Sequence, residues 1–508
     1  MIDALIAAIP IATVLVLMLV ARWPAVRAGV AGLVAALVVA VLAFPFESID
    51  QGILFGIAGA FGEAVFTALA ILWIILPALA IYRLQNETGA VDSLRSGLSR
   101  LSSDPRLTAL VVAWFFALLL EGAAGFGTSA ALAAPFLMAI GMSPITAVTA
   151  AMLGHIVGVT FGAVGTPIVP MVAASGLEPL ALSTSVAIQA ALVGWTVPIV
   201  VSLIIARAYP KEQPQSGWLR WGLGFGAAIA FLVPYVLIAT FVGPELPTLA
   251  GAIVGGAVFI VGIRRWAAHD DPEADDQRSP MSLARAMAPY LILVAVVLAT
   301  RLIPPLRDAL QDIAFTWEAA DGTFGGSFQP LYHPGSMLAL AFVLGALVQG
   351  AQPAQLGQAL REATRTLVPV GAALVAMLGL ARIMVHAGMV DAIAAAAADA
   401  VGGAWPLLSP SVGALGTFVT GSATASNALF SDLQIATANA IGSDVTTILG
   451  AQDVGAALGN AIAPHNLIAA AAIVGLAGRE SEILRRTLPV VIPLVLAAGA
   501  VALVLTNL

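Results

Sequence analysis

Apolar windows long enough to cross a bilayer recur along the whole chain, and two apolar regions are broken in the middle by polar, small-residue stretches. This pattern limits the fold more than any other feature. A spanning helix needs about 17–25 apolar residues. Such windows lie near 2–21, 28–45, 55–82, 145–167, 183–206, 221–242, 247–263, 286–303, 334–350, 367–387, 446–466 and 488–506, which predicts about twelve transmembrane helices. The regions 107–141 and 411–441 are also apolar, but EGAAGFGT (121–128) and TGSATASN (420–427) cut them into halves too short to cross. Each reads as a re-entrant hairpin, tolerated at membrane depth only where protein or a water-filled cavity surrounds it. The chain is 60% hydrophobic and 10% charged with a mean hydropathy of +1.00, whereas a soluble domain carries about 25% charge. The expected fold is an all-α polytopic membrane protein, and soluble enzyme classes are excluded. There is no Cys, so disulfides, thiolate metal sites and Cys nucleophiles drop out. HExxH and GxSxG patterns are absent too; no enzyme activity, cofactor or metal is expected.

Positive charge sets the orientation. The segments 22–27, 83–106, 207–220, 264–285, 351–366 and 479–487 hold 18 of the 21 basic residues, and the alternate segments 46–54, 168–182, 243–246, 304–333 and 388–410 hold only Arg307. Both termini are therefore expected outside a cell (inner or plasma) membrane. The loop 264–285 is then cytoplasmic, and 304–333, with Trp317, Phe324 and Phe328, forms a small external cap. The start MIDALIAAIP lacks a basic n-region and reads as a retained helix, not a cleaved signal. The net charge of −7 lies in loops and gives no sign of a nucleic-acid partner.

The chain also repeats itself at an offset of 297–299. Gly89 aligns with Gly388, Gly122 with Gly421, Thr128 with Asn427, Gly158 with Gly455, Gly162 with Gly459, and Pro167 with Pro464. After Tyr82 the first copy carries Arg83, Arg95, Arg100 and Arg106, whereas its counterpart after His386 carries only Asp391 and Asp399. By the charge rule the two copies are inverted. Inverted repeats with broken helices at their interface mark secondary transporters, with the site near midplane. The organisation reads as an N-terminal half, 1–206 (repeat core 55–206, hairpin 107–141, broken helix 145–167). Linking helices follow over 207–333. The C-terminal half is 334–508 (hairpin 411–441, broken helix 446–466).

The polar residues of these breaks are the candidate site. A half-helix N-terminus presents unpaired N–H groups and a positive dipole end, which bind a carboxylate without a metal. In the first tip Gly122, Gly125 and Gly127 permit close approach, and Thr128 and Ser129 are placed to cap the next half-helix. In the second, Thr420, Ser422, Thr424, Ser426 and Asn427 offer hydrogen bonds. Small and hydroxyl residues also serve helix packing, but two matched tips favour a ligand. The first broken helix places His155, Thr160 and Thr166 before Pro167, and the second places Gln452, Asp453 and Asn460 before Pro464; proline frees carbonyls there. Glu121, Asp453 and His155 are candidate proton carriers, an ionisable group at membrane depth being functional by default. Arg382 lies inside a span. Its guanidinium matches a substrate carboxylate or a buried acid such as Glu121 or Asp453, unless it snorkels outward. His465, Glu63 and Asp432 are weaker candidates.

At these residues the chain resembles the lactate permease family. EGAAGFGT at 121–128, FGAVGTPI at 161–168, GPELP at 243–247, LGTFVTGSATASNALF at 415–430 and VGLAGRES at 474–481 carry the resemblance in order, across nearly the whole chain. It implies an inner-membrane carrier for L-lactate, D-lactate or glycolate driven by proton symport, akin to the wider ion-transporter superfamily. Three positions depart from the family pattern: Ala423 stands for an Asp, Asn460 for a Lys and His465 for a Gln. The expected partners are a small monocarboxylate anion, a proton or Na⁺, and the lipid bilayer; many carriers of this architecture are homodimers. The alternatives are the same fold carrying another organic or sulfonated anion with Na⁺ coupling or as an exporter, and an anion channel.

Overall fold

The computed structural model describes residues 2–21, 23–44, 52–93, 104–123, 125, 128–209, 217–266, 281–320, 322–476 and 479–507. Among them seven helices are long and apolar enough to cross a bilayer, and two bent helix pairs raise the number to nine. Four shorter apolar helices accompany them: Ile2–Leu17, Val26–Leu42, Pro247–Ile263 and Pro334–Gln349. Of the twelve expected windows these four make helices about a turn short of the ~30 Å hydrocarbon thickness, 446–466 is not counted as a span, and the seven include Pro105–Ala123 and Met389–Phe418, which were not among the twelve.

In chain order, α1 (Ile53–Glu87) is a 35-residue helix. The first hairpin pairs α2 (Pro105–Ala123) with α3 (Thr128–Ala139). α4 (Pro144–Gly154) is followed by a 3-10 segment, Ile156–Phe161, with a bend of 44°, and the chain unwinds through Gly162–Gly165 before α5 (Ile168–Ser175). α6 (Gly217–Phe241) and α7 (Pro247–Trp266) link the halves. α8 (Pro353–His386) opens the second set. Its hairpin pairs α9 (Trp405–Thr420) with α10 (Ala423–Ile441). α11 (Val445–Gly459) then breaks through a 3-10 turn, Asn460–Ile462, and an extended Ala463 before α12 (Pro464–Ile473).

The start and stop signals are local. Pro105, Pro144, Pro247, Pro353 and Pro464 stand first in their helices, where a missing N–H costs nothing. Ser422 and Asp444 cap α10 and α11 by accepting from the Ala425 and Thr447 amides at 3.3 and 2.8 Å. Gly421, with φ 75°, ends α9, a left-handed stop that suits glycine.

Two expectations are corrected. The chain is not wholly helical: β1 (Phe315–Ala319) and β2 (Phe324–Phe328) form an antiparallel hairpin in register Phe315↔Phe328. The segment 388–410 is not a loop. Met389–Val401 is helical and α9 begins at Trp405. Its run of alanines favours helix, and with α9 it is apolar enough over Met389–Phe418 to count among the seven spans.

The counterparts α1 and α8 pack antiparallel. Arg83, near the end of α1, reaches Glu362 and Thr366 in the first half of α8 at 3.7 and 3.5 Å. At the opposite end Glu63 of α1 meets His386, the last residue of α8, at 2.8 Å. The β-hairpin seats on that second end: Glu63 accepts from the Gly325 amide at 3.1 Å, and the Phe324 ring lies 4.6 Å from that of His386. Hairpin arm α9 meets α11 through glycine. A Cβ on Gly459 would come 2.5 Å from the Ala414 carbonyl, so these backbones touch directly.

Candidate functional site

Both tips and both breaks converge on one cavity of about 20 Å³. Its wall comprises Glu121 and Gly125 from the first tip, Val159, Gly162, Ala163, Thr166 and Pro167 from the first break, Gly421 to Thr424 from the second tip, and Asn460 from the second break. That volume holds about one water, so this is a closed state, and any organic anion requires its walls to part.

The first break builds one side. Ala163 (φ 43°), Val164 (φ 56°) and Gly165 (φ 79°) are consecutive left-handed residues. For alanine, and more so for β-branched valine, that conformation is strained, and the surroundings hold it. Phe161 packs on Tyr235, Tyr235 on Phe231 and Phe231 on Trp114, with centroids 5.2–5.4 Å apart. Thr160 bonds the Tyr235 hydroxyl at 2.7 Å and donates to the Val157 carbonyl at 2.8 Å. Thr166 donates to the Gly162 carbonyl at 3.2 Å.

Glu121 lies in the last turn of α2 and is buried. Its Oε2 accepts from the Ser129 hydroxyl at 2.7 Å. Ser129 therefore serves the acid and not the cap of α3, which the sequence had suggested. Oε1 rests against Gly162, where a Cβ would stand 2.6 Å away. His155 joins the halves: Nδ1 lies 2.8 Å from the Ala151 carbonyl, and Nε2 lies 3.0 Å from the Asn460 side-chain oxygen. Both nitrogens face oxygens, so which of them donates follows from the tautomer and from the way the Asn460 amide is turned.

The second tip contributes the start of α10. Ala423 and Thr424, the first residues of α10, line the cavity; the amides of a helix's first turn have no intrahelical partner, and the dipole there favours negative charge. Thr424 bonds Thr166 across the halves at 3.4 Å. Behind it Asn427 donates to the Pro167 carbonyl at 3.0 Å and to Asp453 Oδ1 at 2.6 Å. Asp453 Oδ2 is buried without a partner among the described residues. Gln452 accepts from Gln434 at 2.8 Å, and Gln434 from the Trp405 indole at 2.8 Å.

Other candidates are placed elsewhere. Gly122 does not face the cavity; a Cβ there would come 2.6 Å from the Leu249 amide, so it seats α2 against α7. Thr420 folds back on the Gly416 and Ser422 carbonyls at 2.8 and 3.0 Å, and Ser426 donates to the Gly413 carbonyl at 2.9 Å. Gly127 lies outside the described residues, and Thr128 opens α3. Arg382 pairs with neither Glu121 nor Asp453. Its Nη2 is 2.7 and 2.8 Å from the two carboxylate oxygens of Asp432, and it lines a separate cavity of about 1010 Å³ beneath the β-hairpin. Sequence reasoning passed over Tyr235 and Ser129's bond to Glu121. Gly162 was marked by its alignment with Gly459 and, like Ala163, by lying within FGAVGTPI.

Two helical hairpins whose tips close on a buried acid between broken helices define a multi-pass membrane carrier, not an enzyme. The family model described as L-lactate permease matches residues 3–329 and 319–508. The chain therefore belongs to the L-lactate permease family, proteins of the plasma membrane. An L-lactate permease of Streptococcus iniae is 28% identical over 443 residues, covering 86% of this chain and 91% of its own. The glycolate permease GlcA of Escherichia coli (strain K12) is 27% identical over 534 residues, covering 96% and 92%. Among solved structures, Neisseria gonorrhoeae MtrF, described within a class of antimetabolite efflux pumps, shares the fold with a TM-score of 0.51 at 15% identity over 96% of each chain.

Proposed function

We propose that the protein is a secondary active transporter that imports small 2-hydroxy monocarboxylates, lactate and glycolate, by proton symport. The cargo follows its relatives, which are named for lactate and glycolate. The observation that carries the mechanism is the composition of the tip cavity: one carboxyl group, hydroxyls, an amide and the N-terminus of α10, with no Lys or Arg in its described wall. An anion there is held by amide dipoles and hydroxyls, and Glu121 is the acid positioned to take the coupled proton. His155 and Asp453, behind the wall, are the further proton sites. The antiparallel packing of α1 on α8 supports two inverted repeats about an axis in the membrane plane, with both termini outside. The hairpins and breaks then move against a scaffold that includes α1 and α8.

The test is labelled L-lactate uptake into liposomes containing the purified protein, with and without an inward proton gradient. Gradient-stimulated uptake competed by glycolate is the expected result. Glu121→Gln abolishes gradient-driven accumulation but retains lactate–lactate exchange, because exchange needs no net proton movement. Unaltered accumulation in that variant would remove Glu121 from the coupling. One observation favours a second reading: the bare Oδ2 of Asp453 is also a place for Na⁺. Uptake that requires Na⁺ and ignores a proton uncoupler would select it.

A further inference from the structure

The 1010 Å³ cavity beneath the β-hairpin is fifty-fold larger than the tip cavity and is lined by Arg382, a half-buried guanidinium that the transport reading leaves unused. Arg382 projects into it from α8, and Gly325 to Gln329 form part of its roof. Asp432 engages only Nη2 of Arg382; Nε and Nη1 have no acceptor among the described residues. The fork of an arginine is made for a planar carboxylate, and Arg382, with half of its fork unpaired, lines a cavity wide enough for one. Three acids, Glu63, Glu178 and Glu245, share the cavity. Glu63 holds the Gly325 amide and His386. Glu245 folds onto its own loop, where Gly243 leaves room for its Oε2. Glu178 stands exposed at the rim.

The cavity also adjoins the tip site. Ile168 and Ala428 line the large cavity, while their near neighbours Pro167 and Thr424 line the small one. Beside these neighbours run the Asn427–Pro167 and Thr424–Thr166 hydrogen bonds, a seam at 3.0 and 3.4 Å.

We propose that this cavity is an outer anion-binding site in which the free edge of Arg382 takes the carboxylate of a small monocarboxylate before the seam opens and passes it to the tips. The proposal rests on the carboxylate-transport reading for its ligand class. It adds a second, sequential site on the path and assigns Arg382 to that site instead of the central one.

The chain has no Cys, so a single thiol reports cleanly. Ser327, exposed on β2 and lining the cavity, is changed to Cys in the full-length protein in liposomes, and its rate of maleimide labelling is followed on ice, where transport is arrested. L-lactate is expected to slow labelling. Arg382→Gln alone strands Asp432, so the charge is removed in the pair Arg382→Gln/Asp432→Asn, which keeps two groups that hydrogen-bond. In that background half-protection should need at least ~10-fold more lactate, the loss expected for a charge-assisted bond. Labelling unaffected by lactate, or protection unchanged in the neutral pair, overturns the outer site. Lactate uptake measured on the same liposomes reads the transport assignment separately. Arg382-dependent protection without uptake would sink the transport reading and leave the outer site standing.

Discussion

At the scale of single residues the site depends on one missing side chain. Glu121 reaches the cavity only because Gly162 has no Cβ to meet its Oε1 at 2.6 Å. Gly162→Ala puts a methyl there, and the carboxyl must swing away or the break must shift, at about 1–3 kcal/mol. Proton-driven uptake should fall sharply in this variant while it still purifies as a folded protein. Gly222→Ala is the control: nothing lies within 4 Å of a Cβ there, and a helix gains ~1 kcal/mol from the change, so uptake should persist. Comparable uptake from the two variants would remove Gly162 from the site. Two of the three positions at which the resemblance led to the expectation of another residue also fall here. Ala423 and Asn460 both line the cavity, and Asn460 is the partner of His155. The absence of an acid and a base is thus felt at the wall itself, which leaves Glu121 as its one carboxyl among the described residues.

At the scale of elements one amide ties the second hairpin to two neighbours at once. Asn427 ties α10 to α11 by its 2.6 Å bond to Asp453 and to the first break by its 3.0 Å bond to the Pro167 carbonyl. Asn427→Ala leaves both oxygens of a buried carboxyl and one carbonyl unpaired, which costs about 2–4 kcal/mol. The expected sign is a lower melting temperature in detergent. The double variant Asn427→Ala/Asp453→Ala should recover part of it, since removing both partners is milder than stranding one; a purely additive loss would mean that the bond contributes nothing. These elements were partly legible in the sequence. The tips announced themselves because Gly, Ser and Thr interrupt apolar runs, and the breaks because Pro167 and Pro464 must restart helices. The left-handed run at Ala163 and Val164 was not legible, because neither residue prefers that conformation; the aromatic stack behind it and Gly165 impose it. Nor was the partner of Arg382, since nothing local in a helix names an acid fifty residues onward. The β-hairpin was hidden by its length, two strands of five residues in a loop otherwise noted only for its aromatics.

For the whole molecule, transport requires the two halves to separate where they now touch. The contact is direct: Thr424 and Thr166 hydroxyls lie 3.4 Å apart across the cavity, and a space of about 20 Å³ admits nothing larger than a water. Opening breaks only a few neutral hydrogen bonds, each worth about 1 kcal/mol net, so the closed state is easily left when ligand or water replaces them. Side chains this close are candidates for a disulfide, whose Cβ atoms stand about 3.5–4.5 Å apart. Thr166→Cys/Thr424→Cys in the Cys-free chain should cross-link on mild oxidation and stop both net uptake and exchange. Reduction should restore them. Each single variant should be indifferent to the oxidant, which separates a mechanical lock from damage to a ligand-binding hydroxyl. If a fully cross-linked sample, verified by mass, still exchanged lactate, the two halves would not part along this seam, and the path would have to pass the tips on another side.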